Sequence, residues 1–187
     1  KVHGLLQGLK ASQIHALERL YRRRIPDGQM ATVELADTMC TISAEIQREV
    51  AVIVNRRGQI ITVAVGDAEG LTVPRSDIGY RESLARLSGL RCLHTPPRGG
   101  GLSRGDLITL AKNRFDFIAA LEVDDGRAGL VYLAHLVPPV PQQPSWRVHD
   151  PLPLRQWLKQ PFDEFLADVE VPLARSVTAV AVDSKAD

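Results

Sequence analysis

His94-Thr95-Pro96-Pro97, followed by Ser103-Arg104-Gly105-Asp106, is the part of this chain whose residue types could do chemistry. Two imidazoles at His-x-His spacing, joined by a carboxylate from a Ser-x-x-Asp turn, hold a hydrolytic zinc. Three such donors leave the fourth tetrahedral position to a water that the metal acidifies. Here Pro96 stands at the second imidazole position, and proline has no side-chain donor. His94 and Asp106 remain, and two ligands hold a catalytic zinc poorly. The sequence therefore predicts a vestigial site without metal, built around His94, Ser103 and Asp106, to which the resemblance given below adds Glu49. Ser103 reads first as a helix N-cap, because a capping serine is far commoner than a nucleophilic one and no oriented base is evident.

No other constellation competes with this one. A phosphate-cradling loop needs Gly-x-x-x-x-Gly-Lys-Ser/Thr, and the Gly99-Gly100-Gly101 cluster has no Lys-Ser or Lys-Thr behind it, so it reads as a flexible loop. Cys40 and Cys92 lie in apolar segments without Cys-x-x-Cys spacing and are expected to pack as reduced, small hydrophobes. The longest apolar runs, Val50 to Val54 and Leu130 to Val137, are far shorter than the roughly 20 residues that cross a bilayer. With no signal-peptide pattern either, the expectation is a soluble, cytoplasmic protein with no membrane partner.

The elements that must position the motif follow from periodicity. Gln13 to Arg24 places Ile14, Leu17 and Tyr21 on one helical face, with Ser12 as the expected N-cap. Pro26-Asp27-Gly28 breaks it, and a second helix opens near Thr32 with Leu35, Met39, Ile42 and Ile46 in a stripe. The period then shortens to that of strands. Val50 to Val54 and Gln59 to Val65 are β-branched runs joined by Asn55-Arg56-Arg57-Gly58, a hairpin signal. A short helix is expected over Arg81 to Leu87, a strand over Leu90 to His94, and a helix from Asp106 to Asn113. Strands over Phe115 to Val123 and Ala128 to Val137 are joined by Asp124-Asp125-Gly126-Arg127. His94 thus sits at a strand end.

Past His135 the composition turns to proline, with Pro138, Pro139, Pro141, Pro144, Pro151 and Pro153, which predicts an extended linker that continues no ladder. Leu154 to Val169 returns to helical spacing, in two pieces because of Pro161. Val177 to Val182 reads as a lone strand, the start of a following domain, and an unpaired strand invites the sheet edge of a second copy, hence a homodimer. The predicted organisation is an α/β domain over 1–137, a Pro-rich linker over 138–153, and over 154–187 a helical segment ending in that strand.

The chain has 187 residues and a formal net charge of +1, too little to declare a nucleic-acid binder. Distribution says more than the sum. Arginine far outnumbers lysine, at Arg22-Arg23-Arg24, at Arg56-Arg57, and along Arg75, Arg81, Arg86, Arg91, Arg98 and Arg104. Arginine forks onto phosphate better than lysine does, so Arg22, Arg23, Arg24, Arg56 and Arg57 are the candidate RNA or partner-binding set, against the plainer reading of solvated surface charge.

Two resemblances extend this reading. Glu49 to Asn55, the Gly66 stop, Leu93-His94, Ser103 to Asp106 and Tyr132-Leu133-Ala134-His135-Leu136, in that order, resemble the JAB/MPN metalloprotease plan, the RadC branch above all. That implies a central mixed sheet flanked by helices, zinc held by a histidine pair and the aspartate, and a glutamate general base matching Glu49, or less well Glu45. Besides Pro96, the interval from His94 to Asp106 is one residue shorter than that pattern, and His135 falls at a position that is no ligand. Gly4 to Lys10, Gln13-Ile14 and Leu17 to Arg24, with Phe162 to Phe165 and Ala174 to Val182, are similar to the amino-terminal extension of bacterial HflX-type GTPases. This resemblance implies a noncatalytic accessory or regulatory domain of a ribosome-associated GTP-binding protein. Its partners would be the parent's GTPase domain and the ribosome or ribosomal RNA. No cofactor belongs to this chain; GTP and magnesium belong to the parent's G domain. The alternative is a JAB/MPN-type zinc metallopeptidase or isopeptidase in which another residue, or a partner chain, replaces the lost ligand; a third option is a domain that only orders or oligomerises its parent.

Overall fold

A computed structural model describes residues 1–66, 86–96 and 100–183, the last seven by backbone alone. Its elements in chain order are β1 (Val2–Gly4), α1 (Ala11–Tyr21), α2 (Val33–Ile46), β2 (Val50–Asn55), β3 (Ile60–Val65), β4 (Leu90–His94), α3 (Arg104–Asn113), β5 (Ile118–Asp124), β6 (Arg127–Leu136), β7 (Trp146–Val148), β8 (Leu152–Pro153), α4 (Leu154–Trp157) and α5 (Phe162–Asp183). The described strands form one mixed sheet in the order β1-β3-β2-β4-β5-β6-β7, with β8 also on β6. β1 and β3 run parallel, as do β4 and β5; every other pairing is antiparallel. The fold is a mixed α/β one, a central sheet flanked by helices.

The two hairpins form where turn chemistry allows. Gly58 takes φ +77°, and a Cβ there would run into the carbonyl of Ile25, so only glycine closes the β2–β3 turn. Asp125 and Gly126 both have positive φ, as a tight two-residue turn requires. Thr32 caps α2 by accepting from the Leu35 amide. α1 starts earlier than expected. Its N-cap is Lys10, whose amide donates to the Gln13 side chain, and Ser12 lies inside the first turn.

Strand alternation sets the two faces of the sheet. On β4, Cys92 and His94 point one way and Arg91 and Leu93 the other. Leu93 pairs with Ala119 of β5, and Phe117 on that same side meets Trp157, Phe162 and Phe165 edge-on at centroid distances of 5.6 to 6.1 Å. α4 and α5 therefore cover the Arg91 face. The edge-on geometry adds to what burying four large rings contributes. α3, carrying Asp106, approaches the His94 face.

Three expectations need correction. The Pro-rich stretch does extend the sheet: β7 pairs antiparallel with residues Ala134 to Leu136, and β8 with Leu130 and Val131. Proline is tolerated at an edge, where its missing N–H faces away from the ladder. Val177 to Val182 belong by backbone to α5, not to a strand. The β-branched composition favoured a strand. The preceding Phe162, Phe165, Val169 and Leu173, at helical spacing, bury in the same core as the sheet, and the helix that they anchor runs on. Third, β1 was not expected at all, since three residues show no periodicity and only pairing with β3 defines it. The short helix expected over Arg81 to Leu87 lies mostly outside the described residues.

Candidate metal centre

His94 closes β4, and its register partner on β2 is Ala51. Glu49 lies two residues before Ala51 on the same face, so the ladder brings it against the imidazole. His94 Nδ1 and Glu49 Oε1 are 2.7 Å apart, with His94 2% and Glu49 3% exposed. The third group comes from α3. Ser103 Oγ accepts from the Asp106 amide and Asp106 Oδ2 accepts from the Ser103 amide, a reciprocal cap that fixes the carboxylate at the helix start. From there Asp106 Oδ2 faces His94 Nε2 at 3.7 Å. Ser103 is thus a positioning residue, as its N-cap reading predicts. Thr95, a mere spacer in the sequence motif, fastens the strand end: its Oγ1 accepts from the Val50 amide and donates to Ser43 Oγ on α2.

The donor set fits a metal ion. One ligand atom each from Glu49, His94 and Asp106 lies within 4.8 Å of the others. When Nδ1–H donates to Glu49, the Nε2 lone pair points toward a second carboxylate, and among the described residues Nε2 is buried with no hydrogen-bond partner. A lone pair facing an anion in a buried place needs a cation or a proton between them. Two donors on one tetrahedral zinc are about 3.3–3.6 Å apart, close to the separation seen here. The carboxylate on the far nitrogen is the usual support of a ligating histidine. Cys92, on the same face, stays a thiol, because burial and then the Asp106 and Glu49 carboxylates push its pKa up.

Pro96 is buried and contributes no donor, as expected. Glu45, the lesser match for the base, is exposed on α2 and accepts from Gln13 instead. The arginines do not behave as one set. Arg22, Arg23, Arg24 and Arg57 are exposed, and Arg24 Nε donates to the Arg57 carbonyl, which puts the α1 end beside the β2–β3 turn. Arg56 departs from the expected role. It is forked onto Asp116 at 2.8 and 3.0 Å and also holds Glu170 at 2.6 Å, so its Nε and Nη2 are committed within the fold. Arg91 is buried over the Phe162 ring rather than displayed. Arg75, Arg81 and Arg98 lie outside the described residues.

Comparison with protein-family models, curated proteins and solved structures finds no match to this chain. Among the described residues no helix is long and apolar enough to cross a membrane.

Proposed function

We propose that this chain is a JAB/MPN-type metal-binding domain, a zinc metallopeptidase or isopeptidase with an atypical ligand set. One observation carries the reading: the buried Nε2 of His94, without a hydrogen-bond partner among the described residues, facing Asp106 Oδ2 at 3.7 Å. His94 and Asp106 would hold the ion, and Glu49 would keep the imidazole in the Nδ1–H tautomer. Zinc bound there supplies a Lewis acid and an acidified water. Two ligands alone hold a catalytic zinc poorly, so a third donor would come from another residue or a partner chain and leave one position open to water. About one zinc per purified chain, lost on His94→Ala, together with isopeptide or peptide cleavage, is the expected outcome. Stoichiometric absence of zinc after loading sinks the reading.

A second reading is favoured by the same count of ligands. Pro96 leaves the site one donor short, and Glu49 and His94 are almost closed to solvent. Both features suit a noncatalytic accessory domain of an HflX-like GTP-binding protein. Its docking surface would be the exposed Arg22, Arg23, Arg24 and Arg57, for the parent's GTPase domain or ribosomal RNA. A cleft of about 640 Å³ between α1 and α2, lined by Arg19, Arg23, Glu34 and Glu45, adjoins that surface. This reading expects no GTP binding by the chain alone in calorimetry, and salt-sensitive co-sedimentation with ribosomes that Arg22→Ala, Arg23→Ala together weaken.

A further inference from the structure

His135 and His149 take no part in the site above, yet the fold stacks them. His135 is the penultimate residue of β6 and 8% exposed; His149 follows β7, its amide donating to the Leu133 carbonyl. Their ring centroids are 4.9 Å apart, tilted by 56°. His135 also meets the Phe165 ring of α5 edge-on at 5.7 Å. Its Nδ1 donates to the Leu136 carbonyl, and the buried Nε2 of His149 has no partner among the described residues. We propose that this stacked pair is an acid-sensitive latch, holding the β7–β8 edge and α5 against the sheet while both rings are neutral and releasing them when both take up protons.

The charges around the pair set the direction. Burial lowers both pKa values from the ordinary histidine value. Arg147 of β7 opposes a proton on either ring, and His135 opposes one on His149. For His135 the hydrogen bond to the Leu136 carbonyl and then Asp168 of α5, and for His149 the neighbouring Asp150, pull the other way without reversing the result. A histidine whose folded pKa lies below its unfolded one stabilises the fold fully above the unfolded pKa. That contribution is lost as pH falls through about 6.5 toward the lowered folded values. Protons on both rings would place two stacked cations beside Arg147, the one on His135 also against the edge-on ring of Phe165. The helix and edge strand that close this pocket are the parts with least reason to stay.

Thermal melting of the full chain at pH 7.5 and 5.5 tests the latch, with hydrogen exchange of 146–153 and 162–173 read at both values. The wild-type melting temperature should fall by about 5 °C more than that of His149→Gln, which keeps a polar group but removes the second charge. Protection should drop in those two segments before the β2–β4 strands. An equal fall in both proteins overturns the proposal. Imidazole NMR titration of the wild type needs no variant to fold: both rings should titrate below the ordinary value, and a midpoint at or above about 6.5 for either overturns it too.

Discussion

Charge is buried on both faces of β4, and the two faces handle it differently. Behind Arg91, the Asp116 carboxylate is fully buried and forked by Arg56, which also pairs with Glu170, while Arg91 lies over Phe162 nearby. Two cations meet two anions. Burial still pushes the Asp116 pKa up against the hydrogen bonds of Arg56, and it brings Arg91 down to about 10, so even this matched group is strained by desolvation. On the His94 face, Glu49 and Asp106 flank one imidazole, and among the described residues no arginine or lysine completes the group. The first arrangement is closed, its charges matched within the fold. The second sets two carboxylates against a single imidazole.

Breaking each group should separate the two. Arg56→Ala leaves Asp116 buried without its forked partner and should cost about 3 kcal/mol in denaturant unfolding; a loss within 1 kcal/mol would mean that Arg91 alone neutralises Asp116. Glu49→Gln should weaken zinc binding roughly 10–100-fold while the fold is retained, measured by competition with a chromogenic chelator. Unchanged affinity would show that Glu49 does not support the ion. Ser103→Ala removes one half of the cap that holds Asp106 and should cost about 1 kcal/mol. If it also lowers zinc affinity, the cap positions the ligand as well as the helix. The smallest effect concerns the thiols. Burial, then Asp37, takes Cys40 up to about 12, so neither it nor Cys92 should react with a thiol reagent at neutral pH in the folded protein. Fast labelling of Cys92 without unfolding would mean that the His94 face is open to solvent.

How much of this was legible depended on range. Helices with a sustained stripe, such as Leu35 to Ile46, and hairpins with turn residues at Gly58 and Gly126 could be read because local residues impose them. β1, β7 and β8 could not, since strands of two or three residues exist only through a partner. The terminal run Val177 to Val182 misled because β propensity is weak beside the packing of the helix that precedes it. Arg56 shows the same limit: its exposed-looking turn position gives no sign of Asp116, which lies 60 residues away.

The sequence by itself determined the candidates: His94 and Asp106 from residue type and spacing, Ser103 as the cap, Pro96 as the missing ligand, and Glu49 through the JAB/MPN resemblance. Only the tertiary structure decided that they converge. The β2–β4 register sets Glu49 beside Nδ1, and the α3 cap sets Asp106 before Nε2, so the site that reads as vestigial from its ligand count holds a buried imidazole between two carboxylates. Residue types fix which atoms can donate or accept. Where those atoms meet, and whether their charges balance, depends on strand pairing and helix docking between segments far apart in the chain, which no local pattern encodes.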